Sequence, residues 1–530
     1  MRTSDRRASP DRLQERVEPL AATPAHRARR AADPLPIVLS CDQRFRRKAA
    51  YVFDTLLMAA GIPAIYVAEP PSCGPWLSYG PPPDAPEPRT RCLVFGHSPV
   101  SWDYLSRSHD PSAASLAEGL TAAEGLTAIF PHRAPHATAA EDIAFDLIAN
   151  AFYFLSSWSE RLTRPDGNSR RLYADSVFAR LAVPQDIVDQ YLQRLVERVN
   201  GLCGRLGHPG WSVPRWPQGF DYAVVLSHDV DFLPARWWDN VVQGGKSVLR
   251  PLVRQRSPGE AARTAIGLAR AAWRRRDPYG CIPEILRKEQ RLGVRASFQV
   301  ATARRHPRDV NYRIEDEGVC RYLRAIIDAG FDLCLHGSYR STENPDWYAE
   351  ETALLTERLC RPLGSRQHFL SFDYSVLFAA QERTGIQYDM SIGYPDRTGP
   401  RAGFSYPYFP YCLDEDRPYD VLEIGLALMD VTLHSYMGLD WSRAWPVIET
   451  ALADLRRKRG CISVVWHPVV FGGARDPGYD RLFWTLVQDV TSTGGLATDG
   501  RTVNAHWRER AAAYTSFSEH GRRRTGVACV

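Results

Sequence analysis

From residue 222 onward, short β-rich runs alternate with amphipathic helical stretches, and this rhythm constrains the fold of the 530-residue chain more than any other feature. The runs are YAVVLS (222–227), RASFQV (295–300), FDLCLH (331–336), RQHFL (366–370), GIQYDMSI (385–392), VLEIGL (421–426) and CISVVWH (461–467). Helical segments fall between them at 283–292, 317–329, 348–360, 375–384 and 443–458. Strands that alternate with helices predict a parallel sheet, because parallel neighbours need a long crossover. The expected fold class is α/β, with a distorted (β/α)7 barrel over 215–514 and a smaller α/β domain before it. Barrels of this kind carry their chemistry at the carboxyl ends of the strands.

The preceding region reads differently. Residues 1–34 are rich in Arg, Ala and Pro without periodicity and are expected to be a disordered leader, as is the tail 515–530. Strands are predicted at 36–40, 64–68 and 92–96, and helices at 139–156 and 185–199, giving an N-terminal α/β domain over 36–205 whose role the residues do not reveal. A net charge of +5, from 66 basic and 61 acidic residues, is too balanced for a chain that coats nucleic acid. Eleven scattered cysteines with no C-x-x-C pair argue against a disulfide framework and a cysteine zinc site. With no apolar signal segment and no stretch near the ~20 apolar residues that span a bilayer, the expected location is cytoplasmic.

The strand-end rule selects a short set of polar residues. The first run ends in SHDVD (Ser227–Asp231), the third in LHGSY (Leu335–Tyr339), the fourth carries SRQHF (Ser365–Phe369), and the last ends in WHP (Trp466–Pro468). Residues i and i+2 share a strand face, so Asp229 should point with Asp231, and Arg366 with His368. Two carboxylates, two or three imidazoles and a guanidinium at one barrel mouth fit a metal-assisted hydrolase. One carboxylate is suited to hold the ion and the other to take a proton from the attacking water.

The order and type of these residues resemble the polysaccharide deacetylase superfamily (NodB homology, carbohydrate esterase family 4). Ser-His-Asp-Val-Asp is similar to its first motif, with the acids spaced as D-x-D. The resemblance implies Asp229 as catalytic base and Asp231 as metal ligand. His336 matches the first position of the second motif, but Arg340 stands where a second histidine ligand is expected. His368 is therefore the expected third ligand. Arg366 resembles the arginine that orients the base, and His467 the histidine that acts as general acid. Together with GPRAGFSYPY (Gly399–Tyr408), these motifs are similar to a bacterial branch of the superfamily that has an N-terminal α/β domain.

The implied activity is metal-dependent removal of an N-acetyl or related acyl group from an amino sugar, with a divalent cation, zinc foremost, as cofactor. A glycan or glycolipid is the expected substrate, and Arg340, Arg401, Tyr406 and Tyr408 are the expected contacts to it. For the two tyrosines, a sugar-stacking lip and buried packing remain open alternatives. Two rival readings stand beside this one. The same barrel could cleave a C–N bond in a non-sugar amide, or the chain could be a non-catalytic carbohydrate-binding scaffold, which Arg340 favours. Finally, 236–276 holds ten basic residues and two acids interleaved with tryptophans and aliphatics. This basic helical insert (236–280) is expected either to cap the barrel or to contact an anionic membrane surface.

Overall fold

The computed structural model describes residues 33–520, except 84–88, 107–120, 124, 159, 161–171, 218, 234–257 (other than 245, 248 and 249), 274–279 and 473–477. The leader, most of the tail and most of the basic insert lie outside the described residues.

The N-terminal part is built on a four-stranded parallel sheet. Its elements are β1 (Leu35–Leu39), α1 (Gln43–Ala60), β2 (Ala64–Tyr66), β3 (Trp76–Tyr79) and β4 (Cys92–Phe95), in strand order β2-β1-β3-β4. Helix α1 starts where the Asp42 carboxylate accepts from the Arg44 N–H and stops at Gly61, whose φ of 79° is left-handed. The apolar stretch predicted as one helix over 139–156 divides. Ile143 forms a bridge with Phe95, and only then does Asp146 cap α2 (Leu147–Leu155). Helix α3 (Ile187–Arg205) runs six residues past its predicted end.

The second part is a curled parallel sheet. Its strands are β5 (Tyr222–Val230), β6 (Ser297–Val300), β7 (Asp332–Gly337), β8 (Gly364–Gln367), β9 (Tyr388–Asp389), β10 (Leu422–Glu423), β11 (Leu426–Met429) and β12 (Cys461–Val465). They pair in the order β10-β9-β8-β7-β6-β5-β12-β11, and a further strand, β13 (Gly495–Thr498), also pairs with β5. The two ends of that order are one chain segment. Residues 422–423 pair with β9, and 426–429 pair with β12, with the Ser463 N–H donating to the Gly425 carbonyl between them. The sheet thus returns on itself, and all seven predicted runs contribute. Every residue of β5 is buried, as a strand covered on both faces requires.

Two predicted strands are shorter than their runs. The run 385–392 contributes only Tyr388–Asp389 to the ladder. The run 366–370 breaks at Gln367, after which His368–Leu370 form a 3-10 turn with Phe369 and Leu370 at positive φ. His368 therefore does not share a strand face with Arg366, contrary to the alternation argument.

The segment expected to offer substrate contacts lies inside the molecule. Arg401, Tyr406 and Tyr408 are 4%, 2% and 1% exposed. Arg401 is paired with Glu160 at 2.6 Å, Tyr406 donates its hydroxyl to the Lys458 carbonyl, and the Tyr408 N–H donates to the Glu423 carbonyl. The same stretch joins the barrel to the N-terminal part. The Val188 N–H donates to the Gly403 carbonyl, and Ser405 donates both its N–H and its hydroxyl to Asp189. These three residues pack inside the molecule and form no lip, contrary to the expected substrate contacts.

Of the basic insert, helix Pro258–Trp273 is described, and its Leu268 packs with Phe232 and Val469 just beyond the ends of β5 and β12. Among the described residues, no helix is long and apolar enough to cross a membrane.

Candidate metal centre

The carboxyl ends of β5, β7, β8 and β12 bring the polar strand-end residues together. Asp231 Oδ1, His336 Nε2 and His368 Nδ1 all lie within 4.8 Å of one another. His336 Nε2 is 3.4 Å from Asp231 Oδ1, His368 Nδ1 is 3.3 Å from it, and the two imidazole nitrogens are 2.8 Å apart.

The outer nitrogens of the two rings fix their tautomers. His336 Nδ1 faces the Arg366 carbonyl at 3.0 Å, and His368 Nε2 faces the Arg308 carbonyl at 2.9 Å. A carbonyl only accepts, so both of those nitrogens carry hydrogen. In neutral rings this leaves bare lone pairs on His336 Nε2 and His368 Nδ1, aimed at each other. Asp231 Oδ1 is buried beside them without a hydrogen-bond partner. Two lone pairs and an orphaned carboxylate oxygen repel unless a positive charge sits between them. Donors on a tetrahedral zinc-sized ion, with bonds of about 2.0–2.2 Å, stand about 3.3–3.6 Å apart, as Asp231 Oδ1 stands from the two imidazole nitrogens, whereas those nitrogens lie closer to each other and would part on binding. Backbone carbonyls that hold the outer ring nitrogens are the usual support for metal-binding histidines. The residues present fit a divalent cation, and Asp231, His336 and His368 would hold it.

Asp229 occupies the neighbouring position on the same face of β5. Arg366, fully buried, donates from Nη1 to Asp229 Oδ1 and to Ser227 Oγ, both at 2.8 Å, and from Nε to the Met390 carbonyl at 2.8 Å. Burial alone raises the Asp229 carboxyl. The Arg366 guanidinium and then the His336 and His467 imidazoles outweigh it, leaving the group ionised below the ordinary carboxylate range. Burial also opposes ionisation of Asp231, yet the surrounding imidazoles, His368 foremost, hold it well below that range. In return, Asp231 overcomes the effect of burial on His368 and draws a proton toward it. A positive charge is what this cradle selects.

His467 follows β12, the strand paired with β5, and its Nε2 lies 3.5 Å from Asp231 Oδ2. Its Nδ1 donates to Asp430 Oδ1 at 2.7 Å, and its backbone N–H donates to Asp430 Oδ2 at 2.9 Å. Burial lowers the imidazole, but the Asp430 carboxylate, followed by Asp231 and Asp229, raises it to about 9. The contact with Asp430 thus favours the protonated ring.

Asp430 is the residue that sequence reasoning missed. The run predicted as the sixth strand ends at residue 426, whereas the ladder continues to Met429 and places Asp430 at its tip. The signal was present as the run ALMD (427–430). His228 points to the other face of β5, where it bonds the Trp466 carbonyl at 2.6 Å and Glu289 at 3.0 Å. Arg340 lies 3.4 Å from Glu343 with 43% of its side chain exposed.

No protein-family model matches the chain, and no curated protein does. Among solved structures, a polysaccharide deacetylase from Mycobacterium smegmatis is similar at 18% identity and a TM-score of 0.38. Puue allantoinase is similar at 16% identity and the same TM-score. Each alignment covers 56% of this chain and 93% of the other. At those values, function has to be read from the side chains themselves.

Proposed function

We propose that the chain is a metal-dependent amide hydrolase that removes an acyl group, such as acetyl, from an amino sugar in a glycan or glycolipid. The observation that carries this reading is the cradle formed by Asp231 Oδ1, His336 Nε2 and His368 Nδ1, with the ionised Asp229 carboxylate and the His467 imidazole beside it. The amino-sugar substrate is inferred from the likeness of the motifs to polysaccharide deacetylases. A divalent cation, with zinc foremost, supplies Lewis acidity that polarises a carbonyl and eases deprotonation of water.

The protein's own groups divide the remaining work. Asp229 accepts the proton of the attacking water, since it is ionised and has a second oxygen not engaged by Arg366. Arg366 keeps that carboxylate aimed into the mouth and ionised. His467 delivers a proton to the departing amine nitrogen, and Asp430 holds the ring so that Nε2 faces the cradle. Acid and base thus stand at the ends of the paired strands β5 and β12, beside the cation position.

The test is acyl release from a panel of N-acylated amino sugars and cyclic amides by zinc-loaded protein. Acetate from the sugars supports the reading. Turnover of the cyclic amides alone would transfer the site to non-sugar substrates, and turnover of neither would leave a binding protein. The basic stretch 236–276 is proposed to hold the mouth near anionic lipid; failure to sediment with phosphatidylglycerol vesicles at low salt would remove that role.

A further inference from the structure

Among the described residues, six that are not glycine adopt positive φ, and the only consecutive pair is Phe369 (60°) and Leu370 (52°). Left-handed backbone is unfavourable for any residue with a Cβ, and glycine or asparagine would make a bare turn more easily. A phenylalanine in such a place invites a role for its ring. The turn sorts three consecutive side chains. His368 and Leu370 are 4% and 5% exposed, whereas Phe369 is 37% exposed. His368 is held inward by the Arg308 carbonyl, and Leu370 packs with Leu426, Met429 and Val465. The backbone is over-determined from both sides, and Phe369 is driven outward.

Where the ring emerges decides its use. Its centroid is 4.5 Å from that of His368, perpendicular to it, so it stands directly beside the cation cradle. Tyr339 is a further aromatic neighbour, at 5.6 Å and 86°. Tyr339 is itself fixed: it stacks on His306 at 4.7 Å and accepts from Arg308 Nη1 at 2.5 Å. The result is one exposed aromatic ring, braced by the buried Tyr339, beside the acids and imidazoles of the cradle. A pyranose matches both characters, with an apolar C–H face for an aromatic ring and a polar edge for the charged groups.

We propose that Phe369 is the sugar-binding platform of this centre, packing against the C–H face of the pyranose whose acyl amide reaches the cradle. This inference rests on the hydrolase reading above and adds the residue that selects a sugar ring. The test compares Phe369→Ala, Phe369→Gly and Phe369→Trp in the zinc-loaded full chain, using an N-acetylglucosamine tetramer as probe. The platform predicts a KM about tenfold or more higher for the Ala and Gly variants, with kcat and zinc content unchanged and KM restored by Trp. Glycine should also keep or raise the melting temperature, because it relieves the left-handed backbone. An unchanged KM, or a KM loss that tracks lost zinc or lowered melting temperature in both variants, would overturn the proposal. If the wild-type chain hydrolyses no acylated sugar, the hydrolase reading fails separately. Calorimetric binding of the tetramer then decides: binding lost in Phe369→Ala keeps the platform, and no binding to the wild type removes it.

Discussion

Replacing Asp430 by asparagine isolates the proton donor. Asn preserves size and can still accept from His467 Nδ1, but it removes the charge that is the largest influence raising an imidazole which burial alone would lower. His467 stands at about 9, against an ordinary value of about 6.5. A cation in the cradle would engage Asp231, leaving Asp430 as the anion in direct contact with His467. Loss of that charge should therefore lower the group by one or more pH units, each worth about 1.4 kcal/mol. Since the protonated ring is the active form, activity falls as pH rises through its pKa. The alkaline limb of kcat/KM should thus move toward neutrality in the variant, with a loss of about tenfold or more at pH 8 and a smaller one at pH 6. Stability follows the same sign. A raised imidazole stabilises the fold fully below about 6.5, and that contribution fades as pH rises through about 9. The assay is acyl release from pH 5.5 to 9.5 in both proteins. An alkaline limb at the same pH in both would refute His467 as the donor tuned by Asp430.

Other substitutions separate base, support and fold. Asp229→Asn should lower turnover by about 10²–10⁴-fold while leaving zinc content near that of the wild type; retained turnover would remove the base assignment. Arg366→Met strands the buried Asp229 carboxylate and should cost about 3–5 kcal/mol, seen as an earlier thermal transition, while a neutral result would make the pair dispensable.

The barrel was legible because its strands are continuous apolar runs with polar tips, and tips at one end of a parallel sheet must converge. Asp229, Asp231, His336 and His467 stand at such tips and meet in the structure. His368 meets them by a different route, through a 3-10 turn that ends β8 early. Periodicity cannot foresee a backbone that leaves the strand at Phe369. Asp430 was hidden because VLEIGLALM serves two neighbours in turn, so the run ends later than one strand's worth of pairing implies. The GPRAGFSYPY segment misled for a compositional reason. Tyrosines and an arginine suit a sugar-binding lip and a buried seam equally, and only the partners Glu160, Asp189 and Lys458 from distant parts of the chain decide between them.

The central claim is that Asp231, His336 and His368 hold one divalent cation. Isothermal titration of zinc into the chelator-treated full chain tests it most directly, with His336→Ala and His368→Ala measured alongside. The account predicts one ion bound per wild-type chain, with each variant weakened by several orders of magnitude. Wild-type protein that takes up no zinc, manganese or cobalt, or variants that bind as tightly as wild type, would contradict it.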